Sequence, residues 1–169
     1  VTVVDSGTTT NNGSVPLSQT KQLFIPLFAS QKTLGSLDSD RDGLSDLAEG
    51  YTDDDNDGLP AYMDNSTIPY LQPLHINSAV VKLAETEPGL QLRLGKFALL
   101  KNSDGLKLSQ EEILETGLVA ADSLENSLGY FDFEIHNVMP FGRSVAIVLP
   151  LDDVIKQYSV YRKINSEQL

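Results

Sequence analysis

The sequence predicts a mainly β fold, an antiparallel β-sandwich with one short helix, preceded by a pair of irregular acidic loops. From residue 74 onward, short alternating or β-branched apolar runs are separated by turn residues, as is typical of β-sandwiches. Ahead of these runs, aspartates are concentrated at regular spacing between residues 38 and 64. We therefore divide the chain into a linker and lead-in strand (1–36), tandem loops (37–65) and a sandwich packed with the loops (66–169).

The lead-in contains two kinds of sequence. Residues 5–20 are rich in Ser, Thr, Asn and Gly, which is the composition of a linker. Residues 21–28 include five large apolar side chains and predict a strand or a segment that docks on the main core.

The predicted sandwich strands come in two hairpins and three later runs. Turn residues 87–89 and the Asp104-Gly105 pair mark the hairpin turns. Ser109 and Glu112 form a capping box that predicts the one short helix, at about residues 110–115. The predicted strands are 78–84 with 90–94, 96–100 with 106–108, 131–135, an apolar and therefore buried central strand at 144–151, and 157–164.

Charge excludes one class of partner. The chain has a net charge of −12, and residues 38–64 alone carry ten acidic residues against one arginine. A phosphate backbone would be repelled by such a surface, so nucleic acid is not an expected partner. Cysteine is absent, which removes disulfides and thiolate metal sites from consideration. No apolar run approaches the roughly 20 residues that span a bilayer, so membrane insertion is not expected.

The first loop, residues 38–49, has the ligand spacing of a calcium-binding loop. Calcium takes six to eight oxygen ligands, and alternate residues of a tightly turning chain can direct their oxygens inward together. A glycine at position six permits the sharp turn. The candidate ligands are Asp38, Asp40, Asp42, the Leu44 carbonyl, Asp46 and Glu49, at positions one, three, five, seven, nine and twelve.

The second loop, residues 53–64, repeats the first after fifteen residues. Its candidate ligands are Asp53, Asp55, Asp57, the Leu59 carbonyl and Asp64. Position nine is Ala61, so water or a neighbour such as Asp54 must supply that ligand, and we expect the second loop to bind more weakly. Two loops in register favour two or more bound calcium ions over a merely solvated acidic tail.

The loops do not fit a helix-loop-helix EF-hand. Position eight, usually apolar there, is Ser45 in the first loop and Pro60 in the second, and proline lacks the N–H that loop pairing needs. Only residues 50–52 connect the loops, which leaves no room for two full helices. We expect a chain that wraps a row of ions with little regular structure.

The segment DSDRDGLSDLAEGYTDDDNDGLPAYMD resembles the thrombospondin type-3 repeat over about 27 residues, departing from it at Ala61. Residues 74–164, which include FDFEIHNVMPFGRSVAIVLPLDDVIKQYSVYRKI, are similar to the bacterial choice-of-anchor U domain. Together these resemblances imply a calcium-binding module on the bacterial cell surface, within a large adhesin of several domains. The family usually continues beyond the Tyr161-Arg162-Lys163 strand, so the end at Leu169 suggests a trimmed chain or a domain completed elsewhere.

Two functions remain open at this point. One is a calcium-dependent extracellular module that recognises a peptide or glycan, with Tyr51, Tyr62 and Tyr70 available for stacking. The other is a calcium-rigidified spacer without a ligand. We do not expect an enzyme, because the chain has only two histidines and lacks a glycine-flanked nucleophile or phosphate-binding loop.

Overall fold

Two units, residues 1–30 and 31–169, make up the chain in the computed structural model. The structure describes residues 2–4, 18–20, 31–76, 78, 80–101, 104–116, 128–151, 153–157, 159–161 and 163. In the first unit, strand β1 (Thr2–Val4) pairs with strand β2 (Ser18–Thr20) in an antiparallel ladder. The segment predicted to form a strand or dock at residues 21–28 lies outside the described residues.

The second unit contains several short antiparallel strands in small sheets and few helices among its described residues, which fits the predicted mainly β class. Its strands are β3 (Leu71–Pro73), β4 (Leu83–Thr86), β5 (Gln91–Leu94), β6 (Lys107–Leu108), β7 (Tyr130–Phe131), β8 (Phe133–His136) and β9 (Ile147–Val148). They form sheets with the strand orders β3-β4-β9, β5-β8 and β6-β7.

Among the described residues, helices are few and short. They are α1 (Asp46–Glu49), α2 (Lys96–Leu100), α3 (Gln110–Glu115) and a 3-10 turn at Ala61–Met63. The predicted capping box is present in α3, because Ser109 Oγ accepts from Glu112 N at 3.2 Å and Glu112 Oε2 accepts from Ser109 N at 2.7 Å. The helix at residues 110–115 is therefore confirmed, although the described residues contain two further α-helices that the sequence analysis missed.

Helix α2 lies where a strand was predicted. Oδ2 of Asp132 accepts from the N–H groups of Phe97 at 2.6 Å and Ala98 at 2.9 Å. These bonds satisfy backbone donors that the first turn of a helix leaves open. The prediction of a strand at residues 96–100 was wrong because the capping carboxylate comes from a distant part of the chain.

Neither predicted hairpin forms in the part of the chain that the structure describes. Strand β4 pairs with β3 and β9, and β5 pairs with β8, placing Leu92 opposite Ile135. Strand β6 likewise pairs with β7. The strands on either side of the predicted turns thus pair with other strands of the chain and not with each other.

The apolar run at residues 144–151 is not a buried central strand. Only Ile147–Val148 is a strand, at the edge of its sheet, and Val148 is 62% exposed. Side chains of the neighbouring strand end hold this segment, since Thr86 Oγ1 donates to Ala146 O at 2.8 Å and Glu87 Oε1 accepts from Ala146 N at 2.9 Å. No strand occurs at the described positions between 157 and 164.

The buried core lies between these sheets and helices and includes one residue of the acidic loops. Leu59, the seventh residue of the second loop, is 2% exposed and belongs to the core cluster. The other members are Leu74, Ala84, Leu92, Leu94, Ala98, Leu106, Leu108 and Ile113. The second loop is thus part of the folded core.

Candidate metal centre

The first loop gathers three carboxylates. Asp38, Asp40 and Asp42 each offer an oxygen, and these oxygens lie within 4.8 Å of one another. The turn is closed by backbone donors, since Gly43 N donates to Asp38 Oδ2 at 3.1 Å and Leu44 N donates to Asp42 Oδ1 at 2.7 Å. Gly43 has φ +101°, a conformation that L side chains rarely adopt.

The second loop repeats this geometry. Oxygens of Asp53, Asp55 and Asp57 again lie within 4.8 Å of one another. Gly58 N donates to Asp53 Oδ2 at 3.2 Å, Leu59 N donates to Asp57 Oδ1 at 2.7 Å, and Gly58 has φ +104°. The repeat in the sequence is therefore also a repeat in structure, and each triad could hold a metal ion.

Several carboxylate oxygens at these triads are buried without a hydrogen-bond partner. They are Oδ2 of Asp40, Asp55 and Asp57, together with Oε2 of Glu49. Asp40 is 0% exposed and Asp57 is 1% exposed. Leaving a buried acceptor unpaired costs about 1–3 kcal/mol, and more for a charged group. Oxygens in this state fit a cation that would accept their lone pairs.

Burial also raises the pKa values of carboxylates in both triads. Burial raises the pKa of Asp57 to about 8 and that of Asp40 to about 6, and neighbouring carboxylates add to both effects. Desolvation and like charge both disfavour the ionised form. A bound divalent cation would offset the repulsion between these carboxylates and favour their ionised form. The crowding of the carboxylates is therefore consistent with a metal site.

Each carboxylate at position twelve interacts electrostatically with the triad of its own loop. Burial, followed by the charges of Asp40 and Asp42, raises the pKa of Glu49 to about 7. Burial also raises the pKa of Asp64 to about 7, and the further causes include Asp55 of its own loop and Asp40 of the first loop. Asp64 thus interacts electrostatically with carboxylates of both loops. The ligand roles of Glu49, Asp64 and the Leu44 and Leu59 carbonyls stay predictions.

Asp46, the predicted ligand at position nine, does not join the first triad. Its Oδ1 accepts from Ser39 N at 2.8 Å, and its Oδ2 accepts from Ser39 Oγ at 2.9 Å and Lys32 Nζ at 2.8 Å. Burial acts to raise the pKa of Asp46, but the bonds to Lys32 and Ser39 outweigh it and lower that pKa. Both carboxylate oxygens therefore already have partners within the protein.

Sequence reasoning missed the residues that surround Asp46. Lys32 is fourteen positions from Asp46 and lies ahead of the loop, so no motif spacing includes it. Its Nζ lies 5.1 Å from the centroid of the Tyr62 ring, and the Tyr51 and Tyr62 rings meet edge to face at 5.8 Å. The two tyrosines were noted as possible stacking surfaces, but in the structure they pack against each other and against Lys32.

The second loop is joined to the sheet that follows it. Leu94 N donates to the carbonyl of Asp57 at 2.8 Å, and Gln91 Nε2 donates to the carbonyl of Asn56 at 3.2 Å. Both donors belong to β5, which carries buried core leucines. The carboxylates of this loop are thus fixed relative to the core.

The two histidines each pair with one carboxylate. His75 Nδ1 lies 2.7 Å from Asp104 Oδ1, and His136 Nε2 lies 2.8 Å from Glu134 Oε2. The hydroxyl of Ser78 donates to the carbonyls of His75 and Val80. A serine bonded to backbone carbonyls in this way is not arranged as a nucleophile activated by His75.

No family model, curated protein or solved structure matches the chain at the significance required. Among the described residues, the helices are all too short and insufficiently apolar to cross a membrane. The two triads and their surroundings are therefore the features of the molecule that bear on its function.

Proposed function

We propose that the two acidic loops bind calcium, at least one ion each. The observation that carries this proposal is the pair of repeated carboxylate triads, whose buried oxygens on Asp40, Asp55 and Asp57 lack hydrogen-bond partners. Asp38, Asp42 and Asp53 complete the two triads. Bound ions would neutralise these groups and hold the turns closed.

The ligand chemistry supports calcium over other divalent metals. The clustered ligand atoms are all carboxylate oxygens, which favour hard cations over zinc or copper. Magnesium keeps several waters and requires a nearly ideal octahedron, whereas calcium accepts six to eight oxygens in flexible geometry. Loops that supply many carboxylates from one turning segment suit calcium.

We further propose that the chain is a calcium-dependent extracellular ligand-binding module of a bacterial surface adhesin, which recognises a peptide or glycan. Support comes from the exposed side of the first loop, where Leu44 and Leu47 are 55% and 68% exposed and Tyr51 is also exposed. An ion held there could accept a carboxylate or vicinal hydroxyls from a target. In this proposal residues 66–169 form a β-sandwich and neighbouring domains of a longer chain flank the module.

The second candidate is a calcium-rigidified spacer or anchor-proximal domain without a ligand. The observation in its favour is the packing of the second loop, where Leu59 is part of the core. A calcium site built into a core stiffens a domain whether or not anything binds outside it. The two candidates share calcium binding and differ only in recognition.

Calcium binding is tested by thermal unfolding in millimolar calcium, in millimolar magnesium and in excess chelator. Binding to the folded state alone stabilises it by about 2.7–4.1 kcal/mol per site at 100 to 1,000 times Kd. We expect a clear rise of the midpoint in calcium and a smaller one in magnesium. An equal midpoint in calcium and chelator contradicts the proposal.

Recognition is tested by a screen of the calcium-loaded protein against glycans and short peptides with free C-termini. The module predicts binding that a chelator abolishes while circular dichroism still reports a folded chain. The same assay with Leu47→Ser, which alters the exposed side without touching a carboxylate, serves as a comparison. Failure to bind anything in either library favours the spacer.

A further inference from the structure

Lys32 lies ahead of the first loop and reaches into it. Its Nζ donates to Asp46 Oδ2 at 2.8 Å and to Ser39 Oγ at 2.9 Å. Ser39 and Asp46 occupy positions two and nine of the loop, and Asp46 is fully buried. One ammonium group therefore joins the first half of the loop to the second.

The lysine is itself held from two sides. The hydroxyl of Tyr51 donates to the carbonyl of Lys32. The ring of Tyr62, a residue of the second loop, lies beneath the ammonium at 5.1 Å, and the Tyr51 and Tyr62 rings pack edge to face. A cation over an aromatic face is attracted to it. Lys32 thus has a fixed position that depends on residues of both loops.

We propose that Lys32 is a positioning residue for the calcium site of the first loop and that it acts through Asp46. The inference rests on the proposed calcium binding. Ser39 lies between Asp38 and Asp40, and both its N–H and its hydroxyl bond to Asp46. By holding Asp46, Lys32 fixes the backbone from which these two ligands project. In metal sites, partners of this outer kind typically change affinity by about 10- to 100-fold when removed.

The proposal makes a prediction of opposite sign to simple electrostatics. A lysine that merely lies near a calcium ion repels it, so removing the charge would tighten binding. A lysine that holds the loop in shape weakens binding when it is removed. We expect Lys32→Met to weaken calcium binding at the first loop about tenfold, with a smaller change at the second.

The experiment is a calcium titration followed by the amide resonances of Gly43 and Gly58, which report the two loops separately. It compares the wild type with Lys32→Met, Asp46→Asn and the double variant. Lys156→Met, which makes the same change of charge in the C-terminal segment, is the matched control. If Lys32 acts through Asp46, the double variant binds no more weakly than Asp46→Asn alone.

Ser39→Ala provides a second variant in case Lys32→Met does not fold. It removes one hydroxyl shared by Lys32 and Asp46, and we expect about threefold weaker binding at the first loop, below the typical range for outer partners. Calcium binding by the wild type that Lys32→Met leaves unchanged or tightens overturns the inference alone. Absence of calcium binding by the wild type overturns the proposed function as well.

Discussion

The two acidic loops have the same ligand spacing but different attachments to the rest of the protein. The second loop places Leu59 in the core, and its Asp57 carbonyl accepts from Leu94 of β5 at 2.8 Å. The first loop leaves the equivalent residue, Leu44, 55% exposed and is held by Lys32. Two loops with the same ligand pattern can therefore differ in how much the loss of an ion would destabilise the protein.

Because the loops are attached differently, the calcium affinity of a loop does not by itself determine how much that loop contributes to the stability of the protein. Loss of an ion from a loop that is part of the core should destabilise the whole second unit. Loss of an ion from a loop with few core contacts should open that loop locally, as regions with exposed hydrogen bonds do. A loop that binds calcium more weakly can thus still contribute more to global stability.

The largest expected effect comes from removing one ligand of each loop. Asp57→Asn should lower the free energy of unfolding by about 2.7 kcal/mol when calcium is present at about 100 times the Kd of the second loop. Asp42→Asn should lower it by about 1 kcal/mol or less, because the first loop can open before the core unfolds. Denaturant unfolding followed by circular dichroism measures both. Equal losses would remove the distinction between the loops.

A matched pair of glycine substitutions tests the same difference without touching a ligand. Gly43 and Gly58 both have positive φ, so alanine is strained at either position, at about 1–2 kcal/mol. A Cβ at Gly43 meets nothing within 4 Å, whereas one at Gly58 lies 3.0 Å from Leu99 Cδ2 and 3.3 Å from Leu94 Cβ. We expect Gly58→Ala to destabilise the protein by roughly 1 kcal/mol more than Gly43→Ala.

The control for this pair is thermal unfolding in chelator. The extra cost at Gly58 arises from packing against the core, so it should persist when calcium is removed. If the two variants melt together in chelator, the second loop is not packed against the core as described.

The pH dependence of the calcium-free protein provides a smaller test. A carboxyl with a raised folded pKa contributes stability below its unfolded pKa, near 3.8 for aspartate, and this stability is lost as pH rises through the folded value. That value is about 6 for Asp40 and about 8 for Asp57, in both cases because of burial first. In chelator, the free energy of unfolding should fall from pH 5 to pH 8.

The two loops should contribute at different pH. Asp40→Asn should reduce the pH dependence of the free energy of unfolding below about pH 6. Asp57→Asn should reduce it up to about pH 8. Calcium should reverse the trend, since protons compete with the ion for the same oxygens. A calcium-free protein whose stability rises with pH across this range would contradict the description of these sites.

The smallest expected effect concerns position nine of the second loop. Ligand counting predicts that Ala61→Asp tightens binding there. In the first loop, however, the carboxylate at position nine faces Lys32 and Ser39 and does not join its triad. We therefore expect Ala61→Asp to change the calcium affinity by less than about threefold, a small effect for a carboxylate outside the inner ligands. Calorimetric titration measures this, and a tenfold gain would assign position nine to the ion.

How far the sequence predicts this molecule depends on the range of each interaction. The loop turns and helix α3 depend on residues within twelve positions of each other, and the sequence predicted both. Helix α2 depends on Asp132, which lies 34 and 35 positions from the amides it caps, and was predicted as a strand. The pairing of β5 with β8 joins residues that are still farther apart in the sequence, and it was also missed.

In the candidate metal centre, too, features set by nearby residues were predicted and features set by more distant residues were not. The spacing of the aspartates predicted the carboxylates of the two triads, but it also included Asp46, which does not join the first triad. Spacing could not predict that Lys32 would donate a hydrogen bond to Asp46, because the lysine lies outside the loop motif. Nor could it predict that Leu59 is buried and Leu44 exposed, since the same residue type stands at both positions.

The central claim is tested most directly by calorimetric titration of the metal-free protein with calcium. The proposed function predicts at least two ions per chain, with Kd values in or below the range of about 10⁻⁴ to 10⁻³ M typical of extracellular modules. Asp40→Asn should remove the binding of the first loop and Asp57→Asn that of the second, each leaving the other site. A folded wild-type protein that takes up no calcium at millimolar concentration would contradict the account.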